Sequence, residues 1–265
     1  MSEALGVSGQ TSIGVASLNV LLDYTRSTHD RSHSEFIEPQ DERVDSLCRT
    51  LGTLPVSLDV VMLQEVQTTD EFHGGHEITR RLGLSDGFWF NHNTSKRGGE
   101  HIGVCGNLVE WAEAIDIGFD KSAVVTEIAG IAFIGTHLRR TYNPAIKAFQ
   151  MRSLLDQTAH YKKRVILGDG NGGPRSEARR IVRQAGGRSV YLMKNGKYPA
   201  TWPTPNYRGI FLPHRYQQHV AGSLSIDMFE VIGFEEEEIG IVGTVDTKKA
   251  DHYTLFGEIR LPLAA

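Results

Sequence analysis

Polar and apolar positions alternate, or short apolar runs occur, near residues 13–19, 59–64, 101–106, 123–128, 131–136, 164–168, 225–232 and 252–260, and these predict β-strands. Three stretches carry the helical period instead. From about Asp41 to Leu54, Val44, Leu47, Cys48 and Leu51 recur at i, i+3, i+4 and i+7, which puts one apolar stripe on a helix. A second helix opens at Asn143-Pro144, a capping amide followed by a proline whose missing N–H is harmless in a first turn, and runs to about His160. The third spans Ser176 to Ala185, with Ala178, Ile181, Val182 and Ala185 on one face and Gly186 suited to a left-handed stop. Helices and strands alternate over the first half and strands dominate the end, the pattern of an α/β or α+β protein with helices packed on sheet faces. The run Glu235 to Glu238 reads as a solvated loop.

The 265 residues, 40% hydrophobic and 23% charged, exclude disorder, collagen and a disulfide miniprotein. No repeat, low-complexity run or linker interrupts them, so residues 1–265 are expected to form one domain, with 1–11 a flexible N-terminal stretch. A net charge of −4 gives no global positive field, so any grip on phosphate must be local. Cys48 and Cys105 lack the paired spacing of a zinc site and read as buried thiols. No stretch approaches the ~18 apolar residues of a membrane span, and no leader pattern opens the chain; a cytoplasmic location is expected.

Chemistry concentrates at strand ends. Asn19 closes the first predicted strand, Glu65 the run Asp59-Val-Val-Met-Leu-Gln-Glu65, and His137 the run Ile131-Ala-Phe-Ile-Gly-Thr-His137. Asp169 and Asn171 stand in the turn Gly-Asp-Gly-Asn-Gly-Gly-Pro, Asp227 lies in Ser225-Ile-Asp-Met-Phe-Glu, and Asp251-His252 precede the last strand. If these strands are neighbours in packed sheets, the polar groups converge on one rim, where ligands of α/β proteins bind. Hard oxygens from Asn, Asp and Glu suit Mg²⁺, whereas zinc would want more histidine or cysteine. The pairs His29/His33 and His73/His76 lie in polar segments and read as exposed loop residues. A calcium hand at Asp169 fails because its sixth position is Pro174 and its twelfth Arg180. Singly, each feature is an ordinary turn or solubilising polar residue; their joint order is what points to catalysis.

The ordered series Ser-Leu-Asn19, Leu-Gln-Glu65, Thr-His137-Leu, Gly-Asp169-Gly-Asn171, Ser-Ile-Asp227 and Asp251-His252 resembles the endonuclease/exonuclease/phosphatase superfamily, the deoxyribonuclease I-like enzymes, from about residue 12 to 260. Gln150 and Arg152 after Thr-His-Leu, and the run Ala200-Thr-Trp-Pro203, add to the likeness. The resemblance implies a four-layer sandwich, two packed mixed β-sheets flanked by helices, and an Mg²⁺- or Mn²⁺-dependent phosphate-ester hydrolase. It also implies Glu65 as principal metal ligand beside Asn19 and Asp251, and Asp227 and His252 as a paired carboxylate and imidazole. Asp169 and Asn171 would orient or activate water, and His137 would hydrogen-bond a phosphate oxygen. Whether imidazole or aspartate is the base stays open. Two departures stand out. Gly170 removes a side chain expected to brace its turn, and Ala250 replaces the usual Ser before Asp-His.

Basic residues cluster at Arg80-Arg81, Lys96-Arg97, Arg139-Arg140, Lys162 to Arg164, and Arg175 with Arg179, Arg180 and Arg183. Most read as solvated charges. Arg139, Arg140 and Arg175 follow catalytic strand ends closely enough to reach a bound phosphate and are the expected substrate-binding residues. Trp202, Tyr207, Phe211 and Tyr216 read either as a stacking lip or as packing. The expected activity is a metal-dependent phosphodiesterase acting on DNA or RNA, with no obligate protein partner. The alternatives are a hydrolase of a small-molecule or lipid-headgroup phosphate ester, or a catalytically weak phosphate-binding module. The missing leader argues against a secreted nuclease or sphingomyelinase, and the missing Trp-Cys-Asp-Arg signature against an inositol polyphosphate phosphatase.

Overall fold

The computed structural model describes residues 11–20, 40–68, 73–85, 87–91, 99–201, 225–247 and 252–261. The expected His29/His33 pair, Lys96-Arg97, Trp202, Tyr207, Phe211, Tyr216, Ala250 and Asp251 lie outside the described residues.

Two parallel strand pairs organise the architecture. In the first, β1 (Ser12–Asn19) and β2 (Val60–Thr68) are joined through helix α1 (Gln40–Gly52); in the second, β7 (Ile131–His137) and β8 (Lys163–Asp169) are joined through α3 (Pro144–Gln157). Antiparallel strands extend both. With β3 (Phe88–Asn91), β4 (Gly99–Cys105), β11 (Ile239–Val245) and β12 (Thr254–Arg260), the first sheet has the order β11-β12-β1-β2-β4-β3. With β5 (Glu113–Asp116), β6 (Ser122–Ile128), β9 (Arg188–Ser189) and β10 (Asp227–Ile232), the second has the order β5-β6-β7-β8-β10-β9. Helices α2 (Gly74–Leu82), α4 (Glu177–Gln184) and α5 (Val190–Asn195) complete the described elements, with one 3₁₀ turn at Glu236–Glu238.

Strand parity sorts the side chains into layers. Ile13, Val15, Val60 and Met62 of the first sheet meet Phe133, Val165, Leu167 and Phe229 of the second in the inter-sheet core. Ala16, Leu18, Val61 and Leu63 face outward onto Val44, Leu47 and Ile78 of α1 and α2. Ile134, Ile166 and Met228 face outward onto Met151, Leu154, Ile181 and Val182 of α3 and α4. The result is a four-layer sandwich of two mixed six-stranded sheets among the described residues, as the sequence resemblance implied. No helix among the described residues is long and apolar enough to cross a membrane.

The differences from the sequence reading have local causes. Edge strands β3, β5, β9 and β11 were not anticipated: three are too short to show alternation, and β11 (Ile-Gly-Ile-Val-Gly-Thr-Val) is interrupted by two glycines. The second helix stops at Gln157, short of His160, where the Thr158 hydroxyl donates to the Leu154 carbonyl at 2.8 Å and ends the last turn. Of the N-terminal stretch 1–11 only Thr11 is among the described residues, and its carbonyl accepts a hydrogen bond from Leu261 N at 2.9 Å. Glu235, Glu236 and Glu237 are exposed as expected, Glu238 is half-buried against Lys163, and the run winds into a 3₁₀ turn with a reciprocal Glu235/Glu238 cap.

His73 and His76 are not loop residues. His73 caps α2, its Nδ1 accepting the His76 backbone N–H at 3.3 Å, and its ring centroid lies 4.0 Å from His76, 5.7 Å from His101 and 5.9 Å from Trp89. Burial, then the neighbouring His76 and His101, hold its pKa down at about 4 against an ordinary 6.5. Above pH 6.5 the ring is neutral folded or unfolded. As pH falls from there towards 4 the unfolded chain takes the proton first, so stability drains away across that window. His73→Asn, which keeps a capping acceptor and removes the proton site, is expected to narrow the difference between urea midpoints at pH 7 and pH 4.5 relative to wild type.

Candidate functional site

The same parity that builds the core delivers the polar groups to it. Counting in twos from Val15 along β1 puts Asn19 on the inter-sheet face; from Phe133, His137; from Leu167, Asp169; and from Phe229, Asp227. Each lies at one end of its strand, so one rim of the sandwich receives all four. Glu65 breaks the rule. The count from Val61 and Leu63 would send it outward, but the register with β4 slips there, Leu63 standing opposite Gly103 and Val66 opposite His101. Glu65 adopts φ 55, Val66 takes the outward place, and the bulge turns the carboxylate towards Asn19.

Asn19 Nδ2 donates to Glu65 Oε1 at 3.0 Å and to Asp169 Oδ2 at 3.3 Å, linking the two sheets. His137 Nε2 lies 3.6 Å from Glu65 Oε1 and 3.7 Å from Asp169 Oδ2. On the other side, His252 Nδ1 lies 2.9 and 3.0 Å from the two Asp227 oxygens, and its Nε2 faces Asp169 Oδ2 at 3.7 Å. Asp169, Asp227 and His252 are 2%, 4% and 4% exposed. Burial pushes the Asp227 carboxyl above its ordinary value; His252 pulls it back and Asp169 pushes it further up. With an ionised Asp227 accepting from Nδ1–H, the basic nitrogen of His252 is Nε2, aimed at Asp169.

The backbone around these groups is tied down. Asn171, at φ 46, places its N–H on Asp169 Oδ1 at 2.7 Å and its side-chain Nδ2 on the Leu138 carbonyl at 2.8 Å. Gly168 has φ 128, and a Cβ there would sit 1.9 Å from the Thr136 carbonyl oxygen, so β7 and β8 approach as closely as they do only with glycine. The expected slackness at Gly170 is not found. Met228 Sδ lies 2.6 Å from where its Cβ would be, filling the space, and Gly170 N donates to the Ile226 carbonyl at 3.1 Å.

Three residues escaped the sequence reading. Thr201 Oγ1 accepts from Ile226 N and Asp227 N at 3.0 and 3.1 Å, and its carbonyl accepts from Tyr253 N at 3.0 Å, so it ties both members of the Asp227–His252 pair; its signal was the Ala-Thr-Trp-Pro run. Lys147 Nζ donates to the Asn171 carbonyl, and burial lowers its pKa against the opposing pull of Asp169. Arg179, read as a solvated charge, is buried. Its Nη1 bonds Glu230 Oε1 at 2.7 Å and its Nη2 bonds the Asp227 and Ser225 carbonyls at 2.5 and 3.3 Å. Burial pushes Glu230 up to about 7 even with Arg179 beside it. A glutamate on the outward face of an otherwise apolar strand was the available hint of a buried cation. Arg139, Arg140 and Arg175 are exposed, as their expected role requires.

Asp169, Asp227 and His252 offer ligand atoms within 4.8 Å of one another. Asp227 engages His252 Nδ1 with both oxygens, so this triad has the geometry of a proton relay rather than a metal cage. Glu65, the Asp169 oxygen and Asn19 form the hard-oxygen side of the site. Such a donor set fits Mg²⁺ or Mn²⁺ and lacks the nitrogen or sulfur majority of a zinc tetrahedron.

No protein-family model matches the sequence, and no curated protein matches it. Solved structures do match in fold. The 3′ phosphatase NExo from Neisseria bound to a product DNA hairpin superposes with a TM-score of 0.67 at 12% identity, over 94% of this chain and 100% of that one. TDP2 from D. rerio, complexed with a single-strand DNA product, gives 0.68 at 15%, over 94% and 99%. An endonuclease/exonuclease/phosphatase family protein from Leptotrichia buccalis gives 0.66 at 16%, over 94% and 100%. The fold is therefore that of the endonuclease/exonuclease/phosphatase, or deoxyribonuclease I-like, superfamily.

Removing Arg179 alone strands Glu230 and two carbonyls in an apolar layer. Arg179→Met is expected to lower unfolding free energy by about 3–5 kcal/mol in urea denaturation, while Arg179→Met combined with Glu230→Leu recovers most of the loss.

Proposed function

We propose that this chain is a divalent-metal-dependent phosphodiester hydrolase that cleaves nucleic acid by attack of water on phosphorus. The observation that carries the reading is the Asp227–His252–Asp169 relay facing Glu65 and Asn19 across the junction of the two sheets. Solved proteins of the same fold, NExo and TDP2, hold DNA products, which supports nucleic acid as the substrate class by analogy of fold.

Glu65, Asn19 and Asp251 would hold Mg²⁺ or Mn²⁺, which when bound supplies Lewis-acid neutralisation of the phosphate charge. Asp169, fixed by Asn171 N and Asn19 Nδ2, orients the attacking water between its Oδ2 and His252 Nε2. His252 accepts the water's proton at Nε2 and Asp227 stabilises the resulting imidazolium through Nδ1, while the P–O bond opposite the attacking oxygen breaks and the departing alkoxide takes a proton from solvent water. His137, whose Nε2 also lies 3.7 Å from Asp169 Oδ2, donates to a non-bridging phosphate oxygen. Asn171 keeps the ends of β7 and β8 in register for His137 and Asp169. Arg139, Arg140 and Arg175 receive flanking phosphates.

Plasmid, single-stranded DNA, RNA and bis(p-nitrophenyl) phosphate incubated with Mg²⁺, Mn²⁺ or EDTA test the reading. Cleavage with metal and none in EDTA is expected, with kcat of His252→Ala reduced by about 10²–10⁴. Glu65→Gln is expected to raise the metal concentration needed for half-maximal rate. Turnover that survives EDTA, or an unimpaired His252→Ala, overturns it.

A further inference from the structure

The β5–β6 hairpin turn is built against its own sequence. Ile117 N bonds the Lys121 carbonyl at 3.0 Å, and between them Gly118, Phe119 and Asp120 all have positive φ, 86, 58 and 57. Turns with two successive left-handed residues favour Asn-Gly, and a bulky aromatic there is an outlier. Phe119 nevertheless holds that conformation and is 43% exposed as a residue. It meets Phe149 of α3, 52% exposed, edge to face, with ring centroids 5.5 Å apart at 86°. The tip is braced rather than loose. Gln150, buried, donates from Nε2 to the Gly118 carbonyl at 2.9 Å and accepts Arg139 N at 3.0 Å, and Arg139 Nη1 reaches the Phe119 carbonyl at 3.5 Å. Phe149 packs over Gly118 and against Phe119, and the strain is kept in place by these contacts; the half of each aromatic residue left to solvent has no packing purpose.

Its position supplies one. β6 runs antiparallel to β7 with Val124 beside Gly135, and continuing that register brings Ser122 level with His137. The turn therefore rises from the same rim as His137 and Asp169. Arg139 and Arg140, both exposed, stand in sequence between His137 and the aromatic pair's support at Gln150. Arg139 and Arg140 follow His137 by two and three residues, and Arg139 Nη1 reaches the Phe119 carbonyl, so the chain links reacting centre, cationic side chains and aromatic pair, the three features that a nucleic-acid strand would meet with scissile phosphate, neighbouring phosphate and unpaired base.

We infer that Phe119 and Phe149 form a stacking platform for an unpaired nucleobase beside the cleaved phosphate, with Arg139 and Arg140 on the connecting phosphate, making this site selective for single-stranded nucleic acid. The inference rests on the phosphodiesterase reading and deepens it. Duplex bases are already stacked on their neighbours and have no face to offer, whereas a single strand gains ring contact at each exposed base.

Binding of fluorescein-labelled dT12, and of a labelled 12-base-pair duplex, is measured by anisotropy in EDTA so that cleavage cannot intervene. Phe149→Ala is expected to weaken dT12 binding about tenfold, a size set by the usual value of one base–aromatic stack, and to leave duplex binding within twofold. Phe149→Tyr should restore dT12 affinity. Phe119→Gly removes the second ring while relieving the turn, so it should lose dT12 affinity without any fall in Tm. Unchanged dT12 affinity in both ring-deletion variants, or equal losses on dT12 and duplex, overturns the platform. Hydrolysis of bis(p-nitrophenyl) phosphate by the wild-type protein with Mg²⁺ is read separately: if it occurs while the ring variants bind dT12 normally, the platform fails and the hydrolase reading stands.

Discussion

Keeping two aspartates, Asp169 and Asp227, in a nearly dry junction on either side of one imidazole is the constraint from which the rest of this molecule follows. An unpaired buried carboxylate is penalised by several kcal/mol, so each must be given donors that stay put. Asp227 receives His252 Nδ1 on both oxygens, and Asp169 receives Asn171 N on one oxygen and Asn19 Nδ2 on the other. Those donors come from the end of β1, the turn after β8 and the residues before β12, so neither sheet alone could hold the arrangement. The burial that raises Asp227 is the same burial that makes its contact with His252 strong, since a low local dielectric amplifies both effects.

The fold answers this demand with two similar halves. Each sheet is centred on a parallel pair, β1 and β2 or β7 and β8, and a parallel pair brings two strand ends to the same rim. The antiparallel neighbours then add a third contribution: β10 begins where β8 ends, with Asp227 directly beside Asp169. Behind β10, on the outward face, Arg179 grips the Asp227 carbonyl while pairing with Glu230. A buried guanidinium is a costly brace, but its rigid fork reaches a strand carbonyl and a carboxylate at once, which a flexible lysine head could not do in a fixed direction.

Much of this was legible in the chain because β-strands have a strict period of two. The sequence showed Asn19, His137, Asp169 and Asp227 as polar groups at strand ends in an order that resembles a known superfamily, and the period of two puts them on one face once Val15, Phe133, Leu167 and Phe229 are placed between the sheets. Glu65 shows where that reasoning stops. Its direction depends on a bulge, and a bulge is a property of register with β4, invisible from β2 alone. Arg179 was misread for a related reason: it sits one residue from the apolar stripe of α4, and only the partner strand's Glu230 explains why it turns inward. The short edge strands and α2, which starts Gly-Gly and is capped by a histidine, carry too few periodic positions to announce themselves.

Four of the five described non-glycine residues at positive φ gather towards one rim: Glu65 at the bulge in β2, Asn171 in the turn after β8, and Phe119 and Asp120 in the β5–β6 turn, while Ala129 occupies the β6–β7 turn at the far end. Each such residue costs about 1–3 kcal/mol and persists only where its surroundings leave it no alternative. Here the surroundings are identifiable: the ladders of β2 and β8, the Asn171–Leu138 and Asn171–Asp169 bonds, and the Gln150 bridge beneath the turn. At Glu65 and Asn171 the sandwich thus converts the stability of its two central strand pairs into fixed, locally unfavourable conformations, and these are residues through which the reading of its chemistry runs.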